Sequence, residues 1–222
     1  MKSTRSAAPC LLTKLSPAGT SLVYSTFLGS TNNDLAYHIA CDAAGNAFVT
    51  GYSASPNFPN TTTNVPGLYS MVASNKNSNS DVDAFLTKFD PAGALVYSAF
   101  FGGKGSDIGY GVAVDPLGYA FVVGTTSSKD FPTNHTATAL SDRRIGNTDI
   151  FVMALNPDAS AVLYSGYLGG KGADNGYSIA VDAAGSAYLV GQTGSRDFTI
   201  TNAFQPFRNG KGDAILSKIT RP

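Results

Sequence analysis

The stretch that decides the fold is LVYSAFFGGKGSDIGYGVAVDPLGYAFVVGTTSSKDFP, residues 95–132. Its opening octet, Leu95 to Gly102, returns as LVYSTFLG at 22–29 and as VLYSGYLG at 162–169. Thirteen positions after each closing glycine stands an aspartate: Asp42, Asp115 and Asp182. Each opens an Asp-x-x-Gly turn that ends at Gly45, Gly118 and Gly185. A short apolar run then leads to Gly51, Gly124 and Gly191, and seven positions later comes Phe58, Phe131 or Phe198. Order and spacing that recur in this way mark a repeat architecture. Asp42 and Asp115 are 73 positions apart, Asp115 and Asp182 are 67 apart. The extra length falls between Phe58 and Asp83, in an Asn-, Ser- and Thr-rich stretch that reads as an exposed loop.

Each repeat holds four strand-like runs. They are Tyr110 to Asp115 (strand a), Tyr119 to Gly124 (b), Asp149 to Leu155 (c) and Val162 to Leu168 (d). They are short, β-branched and aromatic, and Gly, Pro and Asp bound them. The turns Asp115-Pro-Leu-Gly118 and Asp90-Pro-Ala-Gly93 suit tight hairpins, because Pro fixes φ early in the turn and Gly accepts a positive φ at its end. No segment shows a sustained helical period. The pattern predicts an all-β fold of β-propeller blades, each a four-stranded antiparallel meander.

The segments outside the central repeat are incomplete. A tail covers 1–10, a half blade with only strands c and d covers 11–28, and full blades cover 35–101 and 108–168. A three-stranded partial blade covers 175–219. The predicted total is 13 strands, or 3.25 blades, against about 4–8 in closed propellers. An open arc leaves apolar blade faces in water. The chain therefore reads as a partial propeller, completed by the missing blades of a longer chain or by a second copy. In the second case a homodimer closes the ring, with strand d of one copy completing the a–b–c blade of the other.

Composition excludes several classes. Of 222 residues 43% are hydrophobic and 14% charged, and 15 Lys+Arg balance 15 Asp+Glu. Zero net charge argues against an electrostatic nucleic-acid binder. No apolar run reaches the roughly 18 residues of a membrane span. The basic start, residues 1–10, carries no apolar h-region, so no signal peptide is expected in this chain. Cys10 and Cys41 read as unpaired small hydrophobes, Cys41 at a buried strand position equivalent to Val114 and Val181. His38 and His135 fall in unrelated repeat positions, so no Cys/His metal spacing exists.

Candidate ligand contacts cluster in the d–a connections, Gly102 to Asp107, Gly169 to Asp174 and the diverged Gly29 to Asp34. Rigid scaffolds present ligand sites on such loops. The candidates are Lys104, Asp107, Lys171, Asp174 and Asp34, with Tyr37, Tyr110 and Tyr177 as aromatic platforms just before strand a. The string Gly-Gly-x-Gly-x-Asp matches part of the calcium-binding RTX nonapeptide. That makes Ca2+ at Asp107 and Asp174 an alternative to a metal-free site, although calcium takes about six to eight oxygens and these copies are not in tandem. The structural alternative has the glycines turning the chain while Asp107 and Asp174 cap backbone amides. Asp42, Asp115 and Asp182, with Gly45, Gly118 and Gly185, are read as structural turns: once per blade at a hairpin is not how a unique catalytic carboxylate occurs. Lys129-Asp130 and Arg196-Asp197 are read as solvated pairs. No Gly-x-Ser-x-Gly elbow, phosphate loop or dinucleotide fingerprint is present.

The 95–132 string, with Asp83 to Gly93 before it, resembles the bacterial SBBP repeat, a seven-bladed β-propeller repeat, and the NHL-type blade. The NHL resemblance implies that strand a lines the axis and strand d is outermost. The SBBP resemblance implies an exported or cell-surface bacterial protein, hence an extracellular location. The expected function is a non-catalytic binding or scaffolding module for a protein or glycan, with no cofactor. The alternatives are a propeller-fold hydrolase or lyase acting on polysaccharide, and a structural spacer without a ligand.

Overall fold

A computed structural model describes residues 10–61, 82–134 and 140–221. Among them all regular structure is β: β1 (Cys10–Leu15), β2 (Leu22–Leu28), β3 (Asp34–Cys41), β4 (Ala47–Ser53), β5 (Asp83–Phe89), β6 (Leu95–Phe101), β7 (Asp107–Val114), β8 (Ala120–Thr126), β9 (Asp149–Leu155), β10 (Val162–Leu168), β11 (Asp174–Val181), β12 (Ala187–Thr193) and β13 (Asp213–Ile219). They form a β1–β2 hairpin, the sheets β3-β4-β5-β6 and β7-β8-β9-β10, and the three-stranded sheet β11-β12-β13. Neighbouring strands are antiparallel throughout. The first strands pack side by side, β3 on β7 and β7 on β11. They make the inner wall, and β6 and β10 lie at the outer edges. This is an arc of β-propeller blades with an incomplete ring.

The a–b turns form as their residues dictate. The amides of Gly45, Gly118 and Gly185 donate to the carbonyls of Asp42, Asp115 and Asp182 at 3.0, 2.9 and 3.0 Å. The glycine φ angles are 83°, 86° and 80°, which only glycine adopts cheaply. Each aspartate caps its own turn: Asp115 Oδ1 accepts from the Leu117 and Tyr119 amides, and Asp182 Oδ1 from those of Ala184 and Ser186. Asp115 is buried and also takes a 3.2 Å ion pair from Arg221, whose guanidinium lies 3.9 Å from the Tyr119 ring centroid.

Apolar packing between sheets supplies the core. Phe131 stacks on Phe151 at 4.7 Å, and Phe58 sits 4.8 Å from Phe85 and 4.9 Å from Phe100. These b–c loop phenylalanines fold under their loops. The loops then run back along the outer strands, with the Thr61 amide donating to Ser98 and the Asn134 amide to Ser165. Between blades, Lys14 donates to the Pro91 carbonyl at 2.9 Å and Lys88 to that of Pro157 at 3.3 Å.

Two expectations need correction. Strand a is longer than read from sequence, because pairing starts at Asp34, Asp107 and Asp174. Cys41 is exposed, not buried: among the described residues only the two-stranded β1–β2 hairpin, and no complete sheet, stands on the outward side of β3. Cys10 is buried, and both thiols are free. The third c–d turn, Asn156 to Ala159, closes without glycine, with Ala159 at φ 55°. His38 Nδ1 accepts from the Val112 amide at 3.4 Å, joining adjacent inner strands. His135, most of the tail and most of the long polar loop lie outside the described residues.

Candidate functional site

The inner wall carries one irregularity that repeats. The register of strand a against strand b slips between Ala36 and His38, between Gly109 and Gly111, and between Gly176 and Ser178. The extra residue of each β-bulge is Tyr37, Tyr110 or Tyr177. Bulges bend a strand and re-aim side chains, and here the result is a row of tyrosines. Tyr37 and Tyr110 have ring centroids 5.0 Å apart, Tyr110 and Tyr177 6.0 Å. Tyr52 extends the row, 6.0 Å from Tyr37. Tyr37 and Tyr177 are about half exposed. Burial raises the Tyr110 pKa from its ordinary value, and its neighbouring tyrosines raise it further.

The bulge explains the glycine beside it. A Cβ on Gly51 would lie 1.8 Å from the Leu35 carbonyl oxygen, on Gly124 1.9 Å from that of Ile108, and on Gly191 2.1 Å from that of Asn175. The polar residues next to these glycines border the tyrosine row. Tyr177 donates to Gln192 Oε1 at 3.4 Å, and Thr125 donates to Asn175 Oδ1 at 3.2 Å across the blade boundary. Tyr52, Thr125, Asn175 and Gln192 were not singled out from sequence. The signal for three of them was position, directly after Gly51, Gly124 and Gly191.

The loop aspartates are elsewhere than on a ligand-facing surface. Asp34, Asp107 and Asp174 are fully buried under their own glycine loops. Asp34 Oδ2 accepts from the Ser30 amide at 2.7 Å and from Ser55 Oγ at 2.9 Å, and Ser53 donates to Oδ1. Asp107 Oδ2 accepts from the Gly103 amide at 2.8 Å and Ser128 Oγ at 2.6 Å. Asp174 Oδ2 accepts from the Gly170 amide at 2.8 Å and Ser195 Oγ at 2.7 Å, and Thr193 donates to Oδ1. The donors come from a [Ser/Thr]-x-Ser repeat at 53–55, 126–128 and 193–195. As direct ligand contacts these three carboxylates are corrected: they cap amides and tie strand a to strand b. The groups that hydrogen-bond to them are N–H and O–H donors, and a second carboxylate stands beside two of them, Asp83 near Asp107 and Asp149 near Asp174.

Burial pushes the Asp107 carboxyl up to about 7, against the opposing hydrogen bonds from Ser128 and Gly103. Burial also raises Asp149, and the Asp174 charge adds to it. Lys104 and Lys171 extend from the same loops into solvent. They pair with Asp130 at 3.8 Å and Asp197 at 3.7 Å, so these aspartates serve the lysines across the loop, not the adjacent Lys129 and Arg196. Such exposed pairs contribute little to stability. Among the described residues no group of three or more His, Cys, Asp or Glu is placed to hold a metal ion, and no helix is long and apolar enough to cross a membrane.

Four-stranded sheets around a shared inner wall, with one bulged tyrosine per blade, define a β-propeller repeat protein. The family model of the SBBP beta-propeller repeat matches residues 23–59, 96–132 and 163–199, three spans of 37 residues that make up half of the 222-residue chain. The chain belongs to the SBBP beta-propeller repeat family. No curated protein matches it.

Proposed function

We propose that the chain is a non-catalytic binding module, displayed outside the cell, that takes carbohydrate on the row Tyr37–Tyr110–Tyr177. The observation that carries this reading is the row itself: three aromatic rings, 5.0 and 6.0 Å apart, on adjacent inner strands with their outer members half exposed. A tyrosine offers an apolar ring face to the C–H side of a sugar and a hydroxyl at its tip. Gln192, Thr125 and Asn175 supply donors and acceptors beside the rings. A bulge in every blade is costly to keep for packing alone, since it breaks the ladder at the same point each time. The carboxylates with raised pKa values lie beneath loops and present no pair to a substrate, which supports binding over hydrolysis.

The test is a polysaccharide panel read by tyrosine fluorescence and calorimetry, with and without Ca2+. Binding by the parent chain and its loss in Tyr110→Ala supports the reading. Binding that survives Tyr110→Ala, or no binding by the parent chain, defeats it. Release of reducing ends from the same panel supports the hydrolase alternative.

A further inference from the structure

The two ends of the arc are complementary halves of the seam that joins its blades. Val123 of β8 is completely buried, because β11 covers it with Gly176 and Ile179. Its counterpart on β12, Val190, pairs in the same register and is 45% exposed. Leu86 of β5 and Val152 of β9 are fully buried, whereas their counterpart Leu216 of β13 is 73% exposed. At the other end, Val112 and Ile179 are buried on the receiving side of their seams, and their counterpart Ile39 of β3 is 49% exposed. One end thus offers the covering half of a seam and the other lacks it.

The hairpin repeats this complementarity. In complete blades a b–c loop phenylalanine packs on an aromatic of strand d: Phe58 on Phe100, Phe131 on Tyr167. Among the described residues, Phe198 is such a phenylalanine in a sheet of three strands that lacks strand d, and Phe27 of β2 is such an aromatic, exposed and with no loop over it. Both β1 and β13 are strands of type c. A cleft of about 510 Å³ is lined in part by Leu28, His38, Ile39 and Val49 and closed on one side by Leu12 of β1, the strand that the proposal displaces; among the described residues no inner strands accompany the β1–β2 hairpin there.

We propose that a second copy of this chain fills that cleft head to tail. Its β11 and β12 enter beside β3 and β4, and its β13 replaces β1 along the edge of β2. Phe27 then packs under Phe198, and Val190 and Leu216 of one copy close over Ile39 of the other. Lys218 takes the place of Lys14 at the Pro91 carbonyl. Each copy contributes two complete blades and a share in two composite ones, so two copies close a ring of six. A heterologous contact of this kind forms a ring only where the rotation closes.

Light scattering on a sizing column tests this directly. The expected mass is twice 22.9 kDa, falling to the single-chain value in Leu216→Asp. Leu216 faces solvent within one copy, so that variant folds, which circular dichroism checks. A second variant fixes the register. In a chain with Cys10→Ala and Cys41→Ala, Ser25→Cys with Ser217→Cys gives an interchain disulfide, since the β5–β6 register sets these positions opposite each other. A monomer at all concentrations, a dimer indifferent to Leu216→Asp, or a dimer that forms no such disulfide overturns the proposal.

Discussion

Ser128 Oγ donates to Asp107 Oδ2 at 2.6 Å and at the same time accepts from the Gly105 amide at 2.9 Å. One hydroxyl thus joins the buried carboxylate, the glycine loop and the end of strand β8. The arrangement recurs at Ser195, which bonds Asp174 and the Gly172 amide, and at Ser55, which bonds Asp34 and the Asn32 amide. Three copies on a diverged sequence indicate a structural knot at the top of each blade.

Removing that knot at one blade strands its donors. Asp107→Ala leaves the half-buried Gly103 amide and the buried Ser128 hydroxyl without acceptors, at a cost of about 1–3 kcal/mol. Asp107→Asn keeps an acceptor at the Oδ2 position and is expected to lie within about 1 kcal/mol of the parent at pH 7. Urea denaturation followed by tyrosine fluorescence measures both. The Asp107→Ala, Asp174→Ala double variant is expected to unfold, and a folded, fully stable double variant would show that the knot is dispensable.

The same carboxyl makes stability depend on pH. Its ordinary pKa is 3.8, and burial raises it to about 7 in the folded chain. Between those values the folded state holds a proton that the unfolded state has released. Stability from this group is therefore full below about pH 4 and declines as pH rises to about 7, by at most about 1.4 kcal/mol per pH unit. Denaturation midpoints at pH 4.5, 5.5 and 6.5 are expected to fall in the parent and to fall less in Asp107→Asn. Equal slopes in the two chains would remove Asp107 as the source.

The blade architecture was legible because it rests on local rules that repeat. Asp42, Gly45 and their counterparts announce hairpins by turn chemistry alone, and strand c was read to the residue at Asp149 to Leu155. The tyrosine row was half legible. Tyr37, Tyr110 and Tyr177 stood out by spacing, but a bulge has no residue signature until the partner strand is known. The amide capping by Asp107 and Asp174 is legible as the structural alternative, whereas the burial that removes them as ligand contacts is not, because it depends on hydroxyls from 19 to 21 residues away in sequence. Cys41 was misplaced for a related reason. Its equivalence to Val114 and Val181 holds within the strand, but among the described residues the sheet on its outward side is only the two-stranded β1–β2 hairpin.

The bulge and its glycine form a unit, which gives a steric prediction. Gly124→Ala puts a methyl carbon 1.9 Å from the Ile108 carbonyl oxygen and 2.5 Å from the Phe151 ring. Neither atom ends a flexible chain, so the strand pair itself must separate. A loss of more than about 3 kcal/mol is expected, against a gain of about 0.4–1 kcal/mol where the backbone is compatible with alanine. Gly19→Ala is the control, since a Cβ there meets nothing within 4 Å, although its φ of 70° carries a strain of about 1 kcal/mol. Thermal melts of the two variants separate the effects, and a Gly124→Ala chain as stable as Gly19→Ala would mean that the bulge yields freely.

Tyr164 makes the opposite case, a polar atom whose removal helps. Its ring is fully buried beside Phe121 at 6.2 Å, and among the described residues its hydroxyl has no hydrogen-bond partner. Burial raises its pKa well above the ordinary tyrosine value, so the group is a neutral phenol across the working range. In the unfolded chain water satisfies that hydroxyl, and on folding the bond is given up without replacement. Tyr164→Phe keeps the ring contacts and deletes only the oxygen. It is expected to raise stability by about 1 kcal/mol, with the sheet unchanged because neither neighbour loses a bond. The contrast is Tyr167→Phe, whose hydroxyl accepts from the Phe131 amide at 2.8 Å and donates to the Ser128 carbonyl at 3.0 Å. Losing both bonds is expected to cost about 1–3 kcal/mol. Opposite signs for the two variants in parallel thermal melts confirm the assignment, and a Tyr164→Phe chain less stable than its parent would require a partner for that hydroxyl.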